Sequence, residues 1–258
     1  MGYGTEVTPQ AVLVVVAMAE EAAPFLARAD HSTEPVRSGE ATERWLAIDG
    51  LQVLLVQSGI GFVNAAAATA RALLRIVDET GADAAVVVSA GTAGGLGADV
   101  GVGDVVIGSE YINIDADARA FGYPRGQVPG MPARHEGSPR LLELAGEAWP
   151  DGVVPASGST AGGWSVRIGP IGSSYAFIAA ERAALARVDF PTLDAVDMES
   201  SAIAQVCRSH GVGFASVRGI SDGATDEAAA DFLENTPDTA ARSAEVALDL
   251  VKRFVGGE

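Results

Sequence analysis

Cysteine is nearly absent: Cys207 is the only one in 258 residues, which excludes an internal disulfide and a thiolate metal centre. Histidine is scarce too. His31, His135 and His210 lie in polar or Gly/Pro-rich surroundings, and none stands in a serine or cysteine nucleophile motif, so a histidine-based triad is not expected. Basic residues number 17 against 34 acidic ones, a formal charge of −17, and such a surface does not grip a phosphate backbone. Nucleic acid is therefore set aside as a partner, and the charge is read as solubility. The apolar run from Ala11 to Met18 is too short to span a bilayer, and the opening MGYGTEV lacks the basic region that begins a secretory leader. A soluble, cytoplasmic protein without a membrane partner is the expectation.

What remains is an apolar chain, 48% hydrophobic, long enough for one large domain over residues 1–258. Ala11 to Ala17 (AVLVVVA) reads as a central parallel strand buried on both faces. Met18 to Glu21 then starts a helix, Arg44–Ile48 and Leu51–Gln57 form a hairpin turning at Asp49-Gly50, and a helix covers about Val63 to Glu79. Ala84 to Ser89 is a further strand, running into a glycine-rich turn, Ala90 to Gly97, that matches neither a nucleotide P-loop nor a dinucleotide fingerprint. Residues 111–131 are expected as a long excursion, Pro150 to Gly163 as a loop, and Asp226 to Thr236 as an acidic loop before a last helix from about Thr239 to Phe254. Strands alternating with helices predict an α/β fold, a three-layer α/β/α arrangement on a mixed, largely parallel sheet.

The stretch Asp194 to Asp222 organises the rest. A short buried strand leads into a helix opening at Glu199-Ser200-Ser201 and ending at Gly211, and a second buried strand stops at Ser221-Asp222. Glu199 and Asp222 thus stand at the carboxyl ends of consecutive strands, where open parallel sheets bind ligands. Either acid taken singly reads equally well as a helix N-cap, and Glu20-Glu21 as acids placed on a helix dipole. Cys207 falls on the buried side of its helix and reads as a small core residue. Three carboxylates near strand ends, Glu21, Glu199 and Asp222, with no metal-ligand cluster, suit glycosidic-bond cleavage: one group activates water and another protonates the leaving group.

Five stretches in order carry a more specific signal: AMAEEA (17–22), QSGIGFVNAA (57–66), AGTAGGL (90–96), DADARAFGYPRGQVPG (115–130), and VDMESSAIAQVC with VRGISD (196–207, 217–222). Together they resemble the 5′-methylthioadenosine/S-adenosylhomocysteine nucleosidases of the nucleoside phosphorylase superfamily, from Val12 to Phe254. The resemblance implies Glu21 as the base that activates water, Glu199 as the acid holding the ribose hydroxyls, and Asp222, beside Ser221, as the proton donor to purine N7. It implies Phe177 and Ile178 bracketing the base, Thr92, Ala93 and Gly94 beside ribose and base, and Met18, Ile60 and Met198 in the pocket wall. It also implies a homodimer in which Phe121 and Tyr123, with Ala118 and Pro129, reach from the 115–130 loop into the partner's pocket; otherwise Phe121 and Tyr123 simply staple their own loop. No cofactor and no metal are implied, and the substrate is a purine nucleoside.

The chain departs from the family pattern at Ile114, where a histidine is expected, at Gly172 to Ala176 (GSSYA), at Asp197, which stands for a glutamate, and in extra Gly/Ser-rich material around 150–165. Rival readings are a phosphorylase on the same fold, a nucleosidase for a futalosine-type nucleoside, and a binding protein that has lost catalysis. A phosphorylase needs cations for phosphate, and Glu20-Glu21 and the Gly59–Asn64 loop offer none.

Overall fold

β1 (Ala11–Val16) is buried along its whole length because helices cover both of its faces. Val12, Val14 and Val16 enter one core while Leu13 and Val15 enter another, as the two-residue period of a strand requires. The computed structural model describes residues 11–150, 152–154 and 163–257. After β1 come α1 (Ala19–Arg28), β2 (His31–Ser32), β3 (Val36–Ser38), β4 (Ala41–Ile48), β5 (Leu51–Gln57) and α2 (Phe62–Thr80). Next are β6 (Ala85–Gly95), β7 (Val105–Asn113), β8 (His135–Glu136), α3 (Pro139–Ala148), β9 (Val153–Val154) and β10 (Trp164–Ser173). The chain closes with α4 (Ala180–Asp189), β11 (Ala195–Asp197), α5 (Ser200–His210), β12 (Gly213–Asp222) and α6 (Ala228–Gly256).

Phe25 of α1, Leu141 and Leu144 of α3, and Leu250 and Val251 of α6 fill the first core. Leu73 and Ile76 of α2 and Ile203 and Cys207 of α5 fill the second. These are the three expected layers, and Cys207 is the core residue it was read to be. Parallel pairing links β5, β1, β6 and β12 in one block and β7, β10 and β11 in another. Antiparallel pairing of β12 with β7 joins the blocks, so the sheet is mixed. The β4–β5 hairpin turns at Asp49 and Gly50, both at positive φ (49° and 82°), as a type I′ turn demands.

The structure corrects four local expectations. The glycine-rich run after Ser89 continues β6 to Gly95, buried throughout, and is no turn. Its small residues are there because polar side chains press on it: a Cβ on Gly91 would collide with the Glu21 carboxylate and the Arg218 guanidinium. Second, β6 pairs with β1 at first, then takes β11 as an antiparallel neighbour at Gly94 and Gly95, so the edge expected to be open curls into a ring of β6, β12, β7, β10 and β11. Third, the excursion begins only after Asn113, since Tyr111 and Ile112 are buried in β7. Fourth, the expected acidic loop is helical from Ala228, and α6 runs through Pro237. Side chains around the proline bond back to the helix: Asn235 donates to the Asp231 carbonyl, Thr236 to that of Phe232 and Thr239 to that of Asn235. Most of the Gly/Ser-rich loop expected over 150–163 lies outside the described residues.

Candidate active site

Three segments meet at the end of β6. β1 delivers Glu21 at the third position of α1, β11 delivers Glu199 as the N-cap of α5, and β12 ends in Asp222. The register of β12 shifts between Ile220 and Asp222, leaving Ser221 as the extra residue of a bulge that re-aims the carboxylate beside it. Gly94 is flanked by Asp222 on one strand and Val196 on the other. Here a Cβ would come within 3.0 Å of Asp222 Oδ1, so only glycine leaves the carboxylate in place.

Each acid is buried and held. Glu21 Oε2 accepts the N–H groups of Ala17 (2.8 Å) and Met18 (3.1 Å), and Oε1 accepts the Thr92 N–H (2.9 Å) and hydroxyl (3.2 Å). The Met18 bond is also the reach-back of a first-turn glutamate to the start of its own helix. Glu20, beside it, is exposed. Asp222 Oδ1 accepts from Ala224 N–H (3.0 Å) and Oδ2 from the Ser221 hydroxyl (2.9 Å), while burial pushes its carboxyl above the usual range. Glu199 Oε1 accepts the Gly61 N–H at 2.9 Å. Burial pushes its carboxyl up to about 7; Arg218 and the Gly61 N–H oppose the rise, and Asp197 and Glu21 add to it.

These side chains enclose a cavity of about 360 Å³. Met18, Ile60, Thr92, Ala93, Gly94, Phe177, Ile178, Met198 and Ser221 line it with the three carboxylates, so the structure brings together all the residues expected in the chain's own pocket. Phe121, 81% exposed, and Tyr123 are not among its lining residues. Two larger hollows, of about 750 and 650 Å³, contain none of the three carboxylates. Among the described residues, no cluster of three or more His, Cys, Asp or Glu is arranged to hold a metal ion, and no helix is long and apolar enough to cross a membrane.

Reasoning from sequence missed several members. Phe232 and Leu233 of α6 line the cavity, with the Phe232 ring near-perpendicular to Phe177 at 5.9 Å between centroids. They lie in the stretch taken for a loop. Arg218 is fully buried beneath the carboxylates. It pairs with Asp197 at 2.8 Å, stands 3.8 Å from Glu199 Oε2, and donates to the hydroxyls of Ser89 and Ser200. Its signal was available: the one basic residue in a strand that is otherwise mostly apolar or small. Asp197, the departure from the family pattern, also accepts from the Ser173 hydroxyl and from the N–H groups of Glu199 and Ser200, which fixes the start of α5.

The Glu199 shift predicts a pH dependence of stability. Folded Glu199 keeps its proton where the unfolded chain, near 4.5, has lost it. Its contribution is therefore full at low pH and falls as pH rises from about 4.5 to about 7. Glu199→Gln removes that loss, so relative to the parent the variant gains roughly 1–3 kcal/mol between pH 5 and pH 8. Urea unfolding at the two pH values measures the difference; equal differences at both would contradict the assignment.

A sequence profile of the Phosphorylase superfamily matches residues 11–255, the whole span of the sheet and its helices. A 5′-methylthioadenosine/S-adenosylhomocysteine nucleosidase of Geobacillus thermodenitrificans is 37% identical over 242 residues, 92% of this chain and 94% of that protein. The crystal structure of the nucleosidase of that name from Neisseria meningitidis, bound to methylthio-immucillin-A, superposes with a TM-score of 0.83 at 36% identity, covering 94% of this chain and 99% of the other. A futalosine hydrolase of Helicobacter pylori superposes at 0.82 with 26% identity, covering 95% and 98%. The chain belongs to the 5′-methylthioadenosine/S-adenosylhomocysteine nucleosidase family of that superfamily, and it is an N-glycosyl hydrolase.

Proposed function

We propose that this chain hydrolyses 5′-methylthioadenosine and S-adenosylhomocysteine to adenine and the corresponding thioribose. The observation that carries the reading is one apolar-walled cavity presenting Glu21, Glu199 and Asp222 with no lysine or arginine among its lining residues. Glu21 takes a proton from water as the water oxygen bonds to C1′. The C1′–N9 bond breaks with its electron pair leaving on the purine, and Asp222 gives N7 a proton so that adenine departs neutral. Glu199 accepts hydrogen bonds from the ribose hydroxyls. Phe177 and Ile178 bracket the base, where an aromatic face suits a purine. Phosphate, as a dianion, would meet three carboxylates and no lining cation, which supports water over phosphate as the acceptor.

A second reading is hydrolysis of a futalosine-type nucleoside, favoured by the likeness to the Helicobacter pylori futalosine hydrolase. Measuring kcat/KM for methylthioadenosine, S-adenosylhomocysteine and futalosine under one set of conditions separates the two. The proposal expects the two thioadenosines to lead, and a lead for futalosine would replace it.

The proposal includes a homodimer in which Phe121 and Tyr123 complete the partner's cavity. The exposure of Phe121, and the absence of both side chains from the lining of their own chain's cavity, support this reading. Phe121→Ala is expected to raise KM for methylthioadenosine roughly ten-fold, the loss of one well-packed aromatic contact, with little change in kcat. An unchanged KM, or a monomer by analytical ultracentrifugation, would contradict it.

A further inference from the structure

We propose that Tyr175 is a positioning residue of this site: from the wall that carries Phe177 it reaches across to cap helix α2, and through Gly61 it holds the Glu199 carboxylate in register. The inference rests on the reading of Glu199 as the group that holds substrate.

Helix α2 starts behind Gly61, which sits at φ 97° and has no side chain with which to cap its own helix. The first amides of such a helix must find acceptors elsewhere. Val63 N–H finds the Tyr175 hydroxyl at 3.2 Å, supplied from a point 112 residues away in the chain. The same ring lies against Gly61, where a Cβ would be 3.5 Å from its Cε1, and tilts onto Phe62 with centroids 4.6 Å apart. One side chain therefore touches three consecutive residues, Gly61, Phe62 and Val63.

Tyr175 is itself anchored. Asp115 Oδ2 accepts its N–H at 2.7 Å, and the Ser174 hydroxyl donates to the same carboxylate at 2.9 Å. On the far side Gly61 N–H donates to Glu199 Oε1, and Ile60, the residue before it, lines the cavity. The path from Asp115 through Tyr175, the start of α2 and Gly61 to Glu199 is continuous in hydrogen bonds and ring contacts. It ties the segment that carries Phe177 and Ile178 to the one that carries Ile60, all three of which line the cavity. Tyr175 is about half exposed, so its removal costs the core little and its effect should appear in function.

Tyr175→Ala and Tyr175→Phe are tested in the full-length enzyme, each alone and with Glu199→Gln. Tyr175→Ala should lower kcat/KM for methylthioadenosine roughly ten-fold, and Tyr175→Phe, which keeps the ring on Gly61, should recover part of that loss. The acid limb of the kcat/KM profile should move to higher pH in Tyr175→Ala, because the Gly61 N–H that holds the Glu199 carboxyl down is no longer fixed. Where Glu199→Gln slows turnover too far to measure, equilibrium binding of methylthioadenosine replaces kcat/KM, and the effect of Tyr175→Ala should vanish in that background. Parent-like kcat/KM and pH limb in Tyr175→Ala, or an equal loss in both backgrounds, would overturn the proposal. Parent-like activity and binding in Glu199→Gln alone would instead overturn the role given to Glu199 and, with it, the role of Tyr175.

Discussion

Asp222→Asn is expected to slow adenine release from methylthioadenosine by roughly 10²–10⁴-fold, the range for loss of a positioned general acid. The fold should survive, since asparagine keeps the shape and keeps an acceptor for the Ala224 N–H that now binds Oδ1. What disappears is the proton. Burial raises the Asp222 carboxyl, which keeps a proton available nearer neutral pH, and the Ser221 hydroxyl fixes the other oxygen. An amide holds no proton that it can give to N7, so the purine must leave as an anion. A nucleoside whose base departs readily without protonation should therefore lose much less rate in the variant than methylthioadenosine does. Steady-state rates on the two substrates, with thermal melts to check folding, provide the test; equal losses on both would remove Asp222 as the acid.

Glu21→Gln is expected to cost as much in rate, roughly 10²–10⁴-fold, and to lower stability as well. Both Glu21 oxygens are acceptors in the structure, two amides facing Oε2 and the Thr92 N–H and hydroxyl facing Oε1. Glutamine offers one acceptor oxygen, and its NH₂ must turn toward backbone N–H donors on one side or the other. At least one buried donor then goes without a partner, at a cost of about 1–3 kcal/mol. Methylthioadenosine should still bind, because the base and ribose contacts are untouched. Urea unfolding and single-turnover rates measure the two effects separately. Loss of binding with unchanged single-turnover chemistry would show that Glu21 binds substrate and does not activate water.

Much of this site is legible in the chain because its acids sit where strands end. An unbroken apolar run such as AVLVVV admits little but a doubly covered strand, and Gly211 closes α5 in the left-handed conformation that its sequence position implies. Glu199 and Asp222 follow from those boundaries. What local pattern cannot reveal is a residue chosen for a distant neighbour. Gly91 and Gly94 look like a turn, yet they keep strand β6 small because Glu21, Arg218 and Asp222 pass over it. The same holds for α6, where the hydroxyls and amide that bond back to the helix around Pro237 read as loop formers until their carbonyl partners are known. Arg218 is a third case: its charge is out of place in β12 until Asp197 and Glu199 are brought beside it. The closure of β11 onto β6 rests on two residue pairs and carries no periodic signal.

We propose that water, and not phosphate, receives the ribosyl group in a cavity ringed by carboxylates. The most direct measurement is release of free base from methylthioadenosine in phosphate-free buffer, repeated with phosphate added. Adenine and free methylthioribose at the same rate in both buffers is the expected result. Turnover that requires phosphate and yields a sugar 1-phosphate would contradict hydrolysis and the role given to Glu21.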